Sequence, residues 1–186
     1  MGVQSARREE EIVHHLHLVE GGIAGFVPAH SRVLTPTECE ELAAQVVREG
    51  LWDGVELTPT ESQTRAYALL YEDERMEMWL LSWLPNHSTG FHDHGESNVG
   101  FCVAQGTLVE QQLRFAGAPG ATTMAVGDTR AAGSDYIHCL EWETGTPALS
   151  VHVYSPPLAV VGQYRYDESG TLRRARQAGR DELTKD

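Results

Sequence analysis

Residues 91–97 read FHDHGES, and the two histidines of this segment, His92 and His94, are separated by a single residue. In a β-strand, residues two apart share one face, and their Cα atoms lie roughly 6.6 Å apart. Both imidazoles can therefore be directed at one metal ion from a rigid base. The alternative is a pair of surface histidines in a loop, which the spacing alone does not exclude.

The residues that follow favour the metal interpretation. After His94, Gly106 comes at the spacing of the first cupin motif, which reads HxH, three or four residues, Glu, six residues, Gly. Residues 127–138 resemble the second cupin motif and end at His138. In cupins the two motifs lie on adjacent strands. The resemblance therefore implies that His138 joins His92 and His94.

The sequence departs from the general cupin motif at one position. Val99 occupies the place where most cupins have a glutamate ligand, Glu96 is out of register, and Asp93 points to the opposite strand face. The site expected is thus three histidines without a carboxylate. Three neutral imidazoles leave the full charge on a bound metal ion, which suits a substrate that brings an anionic ligand of its own. Zinc also accepts three histidines, so the ligands alone do not identify the metal.

The surrounding pattern predicts strands preceded by a helix. Short apolar runs separated by turn residues occupy 66–71, 76–84, 99–103, 108–115, 136–142 and 148–154, which is typical of an antiparallel sandwich or barrel. Before them, Thr35 and Glu38 form a capping box around Pro36, and Gly50 ends the helix. We expect one domain over residues 1–186, with a helical lobe at about 1–60, a barrel at about 66–160 and a charged surface tail at 163–186.

A third segment, ALSVHVYSPP at residues 148–157, places Ser150, His152 and Tyr154 on one strand face. Polar side chains that follow one another on the buried face of a strand need hydrogen-bond partners. A relay of hydrogen bonds among these three side chains would provide them. The alternative is the polar outer face of an edge strand.

Taken in order, HDHGES, QGTLVE at 105–110, IHCLEW at 137–142 and SVHVYSPP at 150–157 resemble the cysteine dioxygenase (thiol dioxygenase) family of the cupin superfamily, in its bacterial form. The resemblance covers about residues 66–157, and a weaker similarity extends over residues 162–182. It implies a mainly β cupin barrel (double-stranded β-helix, jelly-roll-like) with a short helical N-terminal lobe.

The resemblance also implies a chemistry. His92, His94 and His138 would bind Fe2+, and Ser150, His152 and Tyr154 would form a relay beside it. The reaction would oxidise a small thiol, most naturally L-cysteine, with O2 to the sulfinic acid. Another thiol (3-mercaptopropionate, cysteamine, or a thiol-imidazole such as ergothioneine) and a non-catalytic metal-binding cupin sensor are the alternatives.

Two positions differ from the family pattern. Animal members carry a cysteine at the position of Val99, cross-linked to the tyrosine that matches Tyr154, and this chain cannot form that bond there. Aligned from Trp83, Tyr67 falls where cysteine dioxygenases place the arginine that binds the substrate carboxylate. Either Arg65, two residues away, replaces that arginine, or the pocket accepts a different thiol; the sequence leaves this open.

Other residues receive no chemical role from the sequence. Trp79 and Trp83 alternate with leucines and are assigned to the core, and Glu110 is assigned to structure. The histidines at 14, 15 and 17 are assigned to a solvated segment.

The charge and composition of the chain argue against some classes of binding partner. The net charge is −13 and no Lys/Arg cluster suggests a track for phosphates, so nucleic acid and anionic membranes are poor candidates. No apolar run reaches the roughly 20 residues of a membrane span. The N-terminal segment turns acidic at residues 9–11, where a signal peptide would need its apolar stretch, so we expect no signal peptide. Because we expect no secretion signal, we also expect reduced thiols in the cytoplasm at Cys39, Cys102 and Cys139. We expect a monomer or weak homo-oligomer whose partners are a small thiol and O2.

Overall fold

A computed structural model describes residues 22–29, 31–57, 65–114 and 119–179. Their main elements are helix α1 (Pro36–Arg48) and strands β1 (Tyr67–Glu72), β2 (Glu77–Trp83), β3 (Phe91–Asp93), β4 (Asn98–Gln105), β5 (Leu108–Gln112), β6 (Gly120–Met124), β7 (Thr129–Ala132), β8 (His138–Trp142), β9 (Ala148–Ser155), β10 (Val160–Tyr166) and β11 (Leu172–Ala178). The chain is mainly β, as the strand pattern predicts.

The strands form two sheets whose strand pairs are antiparallel. The five-stranded sheet has the order β1-β2-β9-β4-β7, and the six-stranded sheet has the order β11-β10-β3-β8-β5-β6. A buried cluster lies between them, with Trp83 and Phe101 from the first sheet and Leu140 and Val161 from the second. Among the described strands no ladder joins the two sheets, so the predicted cupin fold is an open β-sandwich and not a closed barrel.

Helix α1 covers the outer face of the five-stranded sheet. Thr35 and Glu38 make the predicted capping box, and Gly50 has the positive φ of 67° that follows a helix end. The apolar stripe that includes Leu42 and Val46 packs with Val151 and Val153 in a second buried cluster. No helix in the described ranges is long and apolar enough to cross a membrane. Much of the predicted helical lobe, with the histidines at 14, 15 and 17, lies outside the described residues.

The C-terminal region differs from the expected surface tail. Strand β10 pairs with β3, and β11 pairs with β10 along its whole length. The strands therefore extend well past residue 160, to residue 178. The sequence pattern misses β11 because it is an edge strand with mostly exposed residues, so backbone pairing holds it without an apolar alternation. Residues 180–186 lie outside the description.

Candidate active site

The histidine cluster is assembled by two adjacent strands. His92 lies in β3, His94 follows directly after it, and His138 opens β8 as the register partner of His92. One ligand atom from each lies within 4.8 Å of the others, and the ring centroids are 4.7–5.1 Å apart. All three side chains are buried. The structure thus brings together the three residues that the two motifs single out.

Hydrogen bonds orient two of these rings for metal binding. His92 donates from Nδ1 to the Gly90 carbonyl at 3.1 Å, and His138 donates from Nδ1 to a Glu110 carboxylate oxygen at 2.9 Å. Because these oxygens only accept, each Nε2 keeps its lone pair. In the described part of the chain, the buried Nε2 of His138 and Nδ1 of His94 have no hydrogen-bond partner.

The protonation state of two of these histidines also suits a cation. Burial lowers the pKa of His92 and of His94 well below its usual value, and the neighbouring imidazoles lower it further. Neutral imidazole is the form that binds a metal ion. Buried, neutral rings with an unused nitrogen fit a divalent transition metal.

Glu110 has a position that the sequence interpretation missed. This buried carboxylate accepts from His138 Nδ1, from the Tyr136 hydroxyl at 2.9 Å and from Arg130 Nε. Burial alone would raise the pKa of Glu110, but the hydrogen bond and charge of His138, with the charge of Arg130, hold it below its usual value. The sequence does contain a sign of this role. Glu110 lies two residues after Leu108, on the core face of a strand, and a buried carboxylate there needs a hydrogen-bond or charge partner.

The polar residues of β9 form the expected chain of contacts. Ser150 Oγ lies 2.8 Å from His152 Nε2, and His152 Nδ1 lies 3.3 Å from the Tyr154 hydroxyl. Trp83 Nε1 donates to Ser150 Oγ at 2.8 Å. An indole only donates, so the arrangement that uses every group runs from Trp83 through Ser150 and His152 to Tyr154. Burial lowers the pKa of His152 well below its usual value, in keeping with a neutral ring.

One pocket is lined by the three clustered histidines and by His152 and Tyr154 of the relay. It has about 270 Å³ of empty space, part of it open to solvent. Leu81 and Leu140 supply apolar lining. Arg65 also lines it; its side chain is 1% exposed, and its guanidinium lies 4.8 Å from the centroid of a Trp83 ring.

Tyr67 takes a different position from Arg65. It is half-buried and packs edge-on against Trp79 at 5.7 Å, and it is not among the residues that line this pocket. Of the two candidate substrate-binding residues, Arg65 lines the pocket together with the histidine cluster, whereas Tyr67 packs against Trp79.

The cysteines lie apart from the reactive groups. Val99 is the register partner of Tyr154, whereas Cys102 lies in the cluster under α1. Cys139 is buried with its Sγ 3.3 Å from Ser88 Oγ. All three cysteines are free thiols, as expected.

Comparison with solved structures finds distant likenesses. A protein from Thermus thermophilus is 23% identical, with 54% of this chain and 91% of that chain covered and a TM-score of 0.47. An uncharacterized Klebsiella pneumoniae protein with a double-stranded β-helix domain is 14% identical, with 80% and 100% covered and a TM-score of 0.47. A cupin superfamily protein from Desulfitobacterium hafniense is 11% identical, with 53% and 83% covered and a TM-score of 0.44. These likenesses are too distant to indicate an activity.

The match to a protein family is more specific. The family described as cysteine dioxygenase type I matches residues 58–169, which is more than half of the 186 residues. The matched segment contains the histidine cluster, the β9 relay and Arg65. This chain belongs to the cysteine dioxygenase type I family.

Proposed function

We propose that this protein is an iron(II) thiol dioxygenase that converts a small thiol, most naturally L-cysteine, and O2 into the sulfinic acid. The observation that carries the proposal is that three buried histidines, the last two members of the β9 relay (His152 and Tyr154) and a buried arginine line the same pocket. The reaction R–SH + O2 → R–SO2H balances by itself, since sulfur loses the four electrons that O2 gains. It needs no external reductant and no organic cofactor.

The metal would be held by His92, His94 and His138. Bound Fe2+ would supply the redox chemistry that allows a thiolate to react with O2. The protein's contribution is a set of ligands without charge, because no carboxylate is among the clustered groups in the described residues. A site of this kind favours an anionic substrate group over a neutral one.

Arg65 is the residue that would bind the other end of the substrate. A guanidinium is always charged and offers parallel donors that match a carboxylate. In a buried site this attraction is stronger than in water, since the local dielectric constant is lower. The Trp83 ring packs against the guanidinium and would keep the guanidinium plane in one orientation. Leu81 and Leu140 line the same pocket and would limit the space for water.

Tyr154 would act on the reacting end. Its hydroxyl accepts from His152, so its own proton can be donated to the substrate. Ser150 and Trp83 keep His152 in the tautomer that donates from Nδ1. The relay thus presents one hydrogen-bond donor of defined direction.

The residues that line the pocket support some of the candidate thiols more than others. Cysteamine has no carboxylate and would bring an ammonium towards the buried Arg65 charge, where like charges repel strongly. L-cysteine and 3-mercaptopropionate both provide the carboxylate. Ergothioneine would gain from an aromatic ring facing its quaternary ammonium, but Tyr67 packs on Trp79 and is not among the residues that line the pocket.

The test is a thiol panel on protein loaded anaerobically with Fe2+. L-cysteine, 3-mercaptopropionate, cysteamine and ergothioneine are each supplied with O2, and oxygen uptake and sulfinate are measured, the latter by mass spectrometry. We expect one sulfinate per O2, with L-cysteine as the best substrate. Protein that binds iron yet oxidises none of the thiols would be a metal-binding cupin sensor instead.

Three variants at two positions test the choice of substrate. Arg65→Ala should raise KM for L-cysteine sharply, while Tyr67→Phe should change it little. If Arg65→Ala leaves cysteine turnover unchanged and Tyr67→Arg improves it, cysteine is not the main substrate.

A further inference from the structure

Asp93 separates the two histidines of the HxH motif and faces the opposite side of β3. Its side chain is buried. Its carboxylate accepts hydrogen bonds from the backbone N–H of Gly95 at 2.9 Å and of Gly162 at 3.2 Å, from the Tyr164 hydroxyl at 2.8 Å, and from Arg174 Nε and Nη2 at 2.6 and 2.8 Å. A buried carboxylate with this many donors is tightly held.

The strongest of these partners comes from outside the matched family segment. Arg174 lies on the edge strand β11, five residues past residue 169 where the match ends. Its two nitrogens approach the two oxygens of Asp93 side by side, which is the bidentate geometry of a strong ion pair. The Arg174 side chain is 38% exposed and that of Asp93 is 6% exposed, so the guanidinium reaches inward from the surface.

The intervening strand β10 leaves room for this pair. Gly162 is the register partner of both Asp93 and Arg176, and a Cβ at Gly162 would collide with Asp93 Oδ2 and with Arg174 Nε. The missing side chain is therefore what allows the arginine to cross β10 and meet the carboxylate on β3.

This contact bears on one ligand in particular. His92 is anchored through Gly90 and His138 through Glu110, whereas Nδ1 of His94 has no hydrogen-bond partner within the described ranges. The position of His94 then depends on its backbone. Asp93 holds that backbone from both sides, as the preceding residue and as acceptor of the Gly95 N–H.

We propose that Arg174, acting through Asp93, is a positioning residue that sets the placement of the His94 ligand. The C-terminal hairpin formed by β10 and β11 would thereby complete the metal site. The inference rests on the metal centre of the proposed function.

The experiment titrates metal-free protein with Co2+ and follows the visible absorption of the bound ion. Arg174→Ala should weaken Co2+ binding on the order of ten- to a hundredfold, as loss of a group that orients a ligand typically does, and should change the absorption band. The matched control is Arg173→Ala, which removes the neighbouring arginine of the same strand and its 2.7 Å ion pair with Asp167. It should leave both readouts within about twofold of wild type, since a surface ion pair of this kind contributes little.

Folding is monitored by melting curves, and binding is measured well below the transition. Arg174→Lys keeps the charge but loses the paired donors, so it should fall between wild type and Arg174→Ala. If Arg174→Ala does not fold, Arg174→Lys and Tyr164→Phe decide, and wild-type Co2+ affinity and spectrum in both would overturn the inference.

The two proposals fail in different ways. Folded wild-type protein that binds no Co2+ would remove the metal centre and the inference together. Wild-type protein that binds Co2+, with folded Arg174→Ala binding it equally well and with the same spectrum, would remove the inference alone.

Discussion

His138 Nδ1 and Glu110 Oε1 are joined by a 2.9 Å hydrogen bond between two side chains that are each almost fully buried. The bond links β8 to β5 and leaves Nε2 of His138 for the metal. Carboxylates in this position orient a ligating imidazole and raise its basicity.

Glu110→Ala should therefore weaken metal binding about ten- to a hundredfold. Glu110→Gln keeps an acceptor for Nδ1 but removes the charge, so it should lose less. Metal titration of the apo-protein measures both. Glu141→Gln is the control, since this carboxylate on the neighbouring strand β8 contacts Ser88 and Gln111 and not the cluster. Equal affinities for all three variants would show that Glu110 serves the fold only.

Tyr154→Phe should keep the metal and lose much of the rate, because it removes the hydroxyl at the end of the relay. A positioned donor or acid typically contributes on the order of 10²–10⁴-fold. Steady-state kinetics and iron content are measured together. Tyr71→Phe, which loses a hydroxyl bound to Asp73 away from the site, is the control. A rate near wild type would mean that the Tyr154 hydroxyl is structural.

The intact protein should show no loss of two hydrogens from a cysteine–tyrosine thioether, even after turnover. Val99 stands opposite Tyr154, and Cys102 belongs to the cluster beneath α1. Val99→Cys brings a thiol to the cross-strand position, where Cβ atoms lie roughly 4.5–5.5 Å apart. With iron and O2 this variant should lose two hydrogens, as intact mass and a peptide map would reveal. A Tyr154 link to Cys102 or Cys139 in wild type would contradict the strand assignment.

Gly100→Ala should destabilise the fold. A Cβ there would collide with the backbone of Cys39 and Glu40 in α1, which cannot move aside as a flexible side chain can. Overpacking of this kind costs typically about 1–3 kcal/mol. The free energy of unfolding in urea measures the loss. Gly133→Ala meets only an ordinary contact with Asp135 and should change little. Equal stability of the two variants would mean that α1 shifts freely on the sheet.

Two of the three clustered histidines and the relay could be predicted because their arrangement follows from the two-residue repeat of a β-strand. His92 and His94 share a face of β3 and its continuation, and Ser150, His152 and Tyr154 share a face of β9, so local spacing is enough to orient them. The cap at Thr35 is likewise local. His138 required the motif resemblance, since its pairing with His92 spans 46 positions of sequence.

The remaining contacts depend on elements that are distant in sequence. Glu110 and Arg174 reach the site only through pairings of β5 with β8 and of β10 with β3 and β11. Strand β11 carries no apolar alternation that would predict it, because both of its faces are largely exposed.

The sequence by itself determined the residue types of the site and the strand faces that carry them, because a β-strand repeats every two residues. Only the tertiary structure decided that Arg65 lines the pocket while Tyr67 packs on Trp79. The two residues have the same parity, so spacing could not separate them. Their positions follow from contacts with residues distant in sequence, Trp83 beside Arg65 and Trp79 beside Tyr67, and neither contact is encoded in a local pattern.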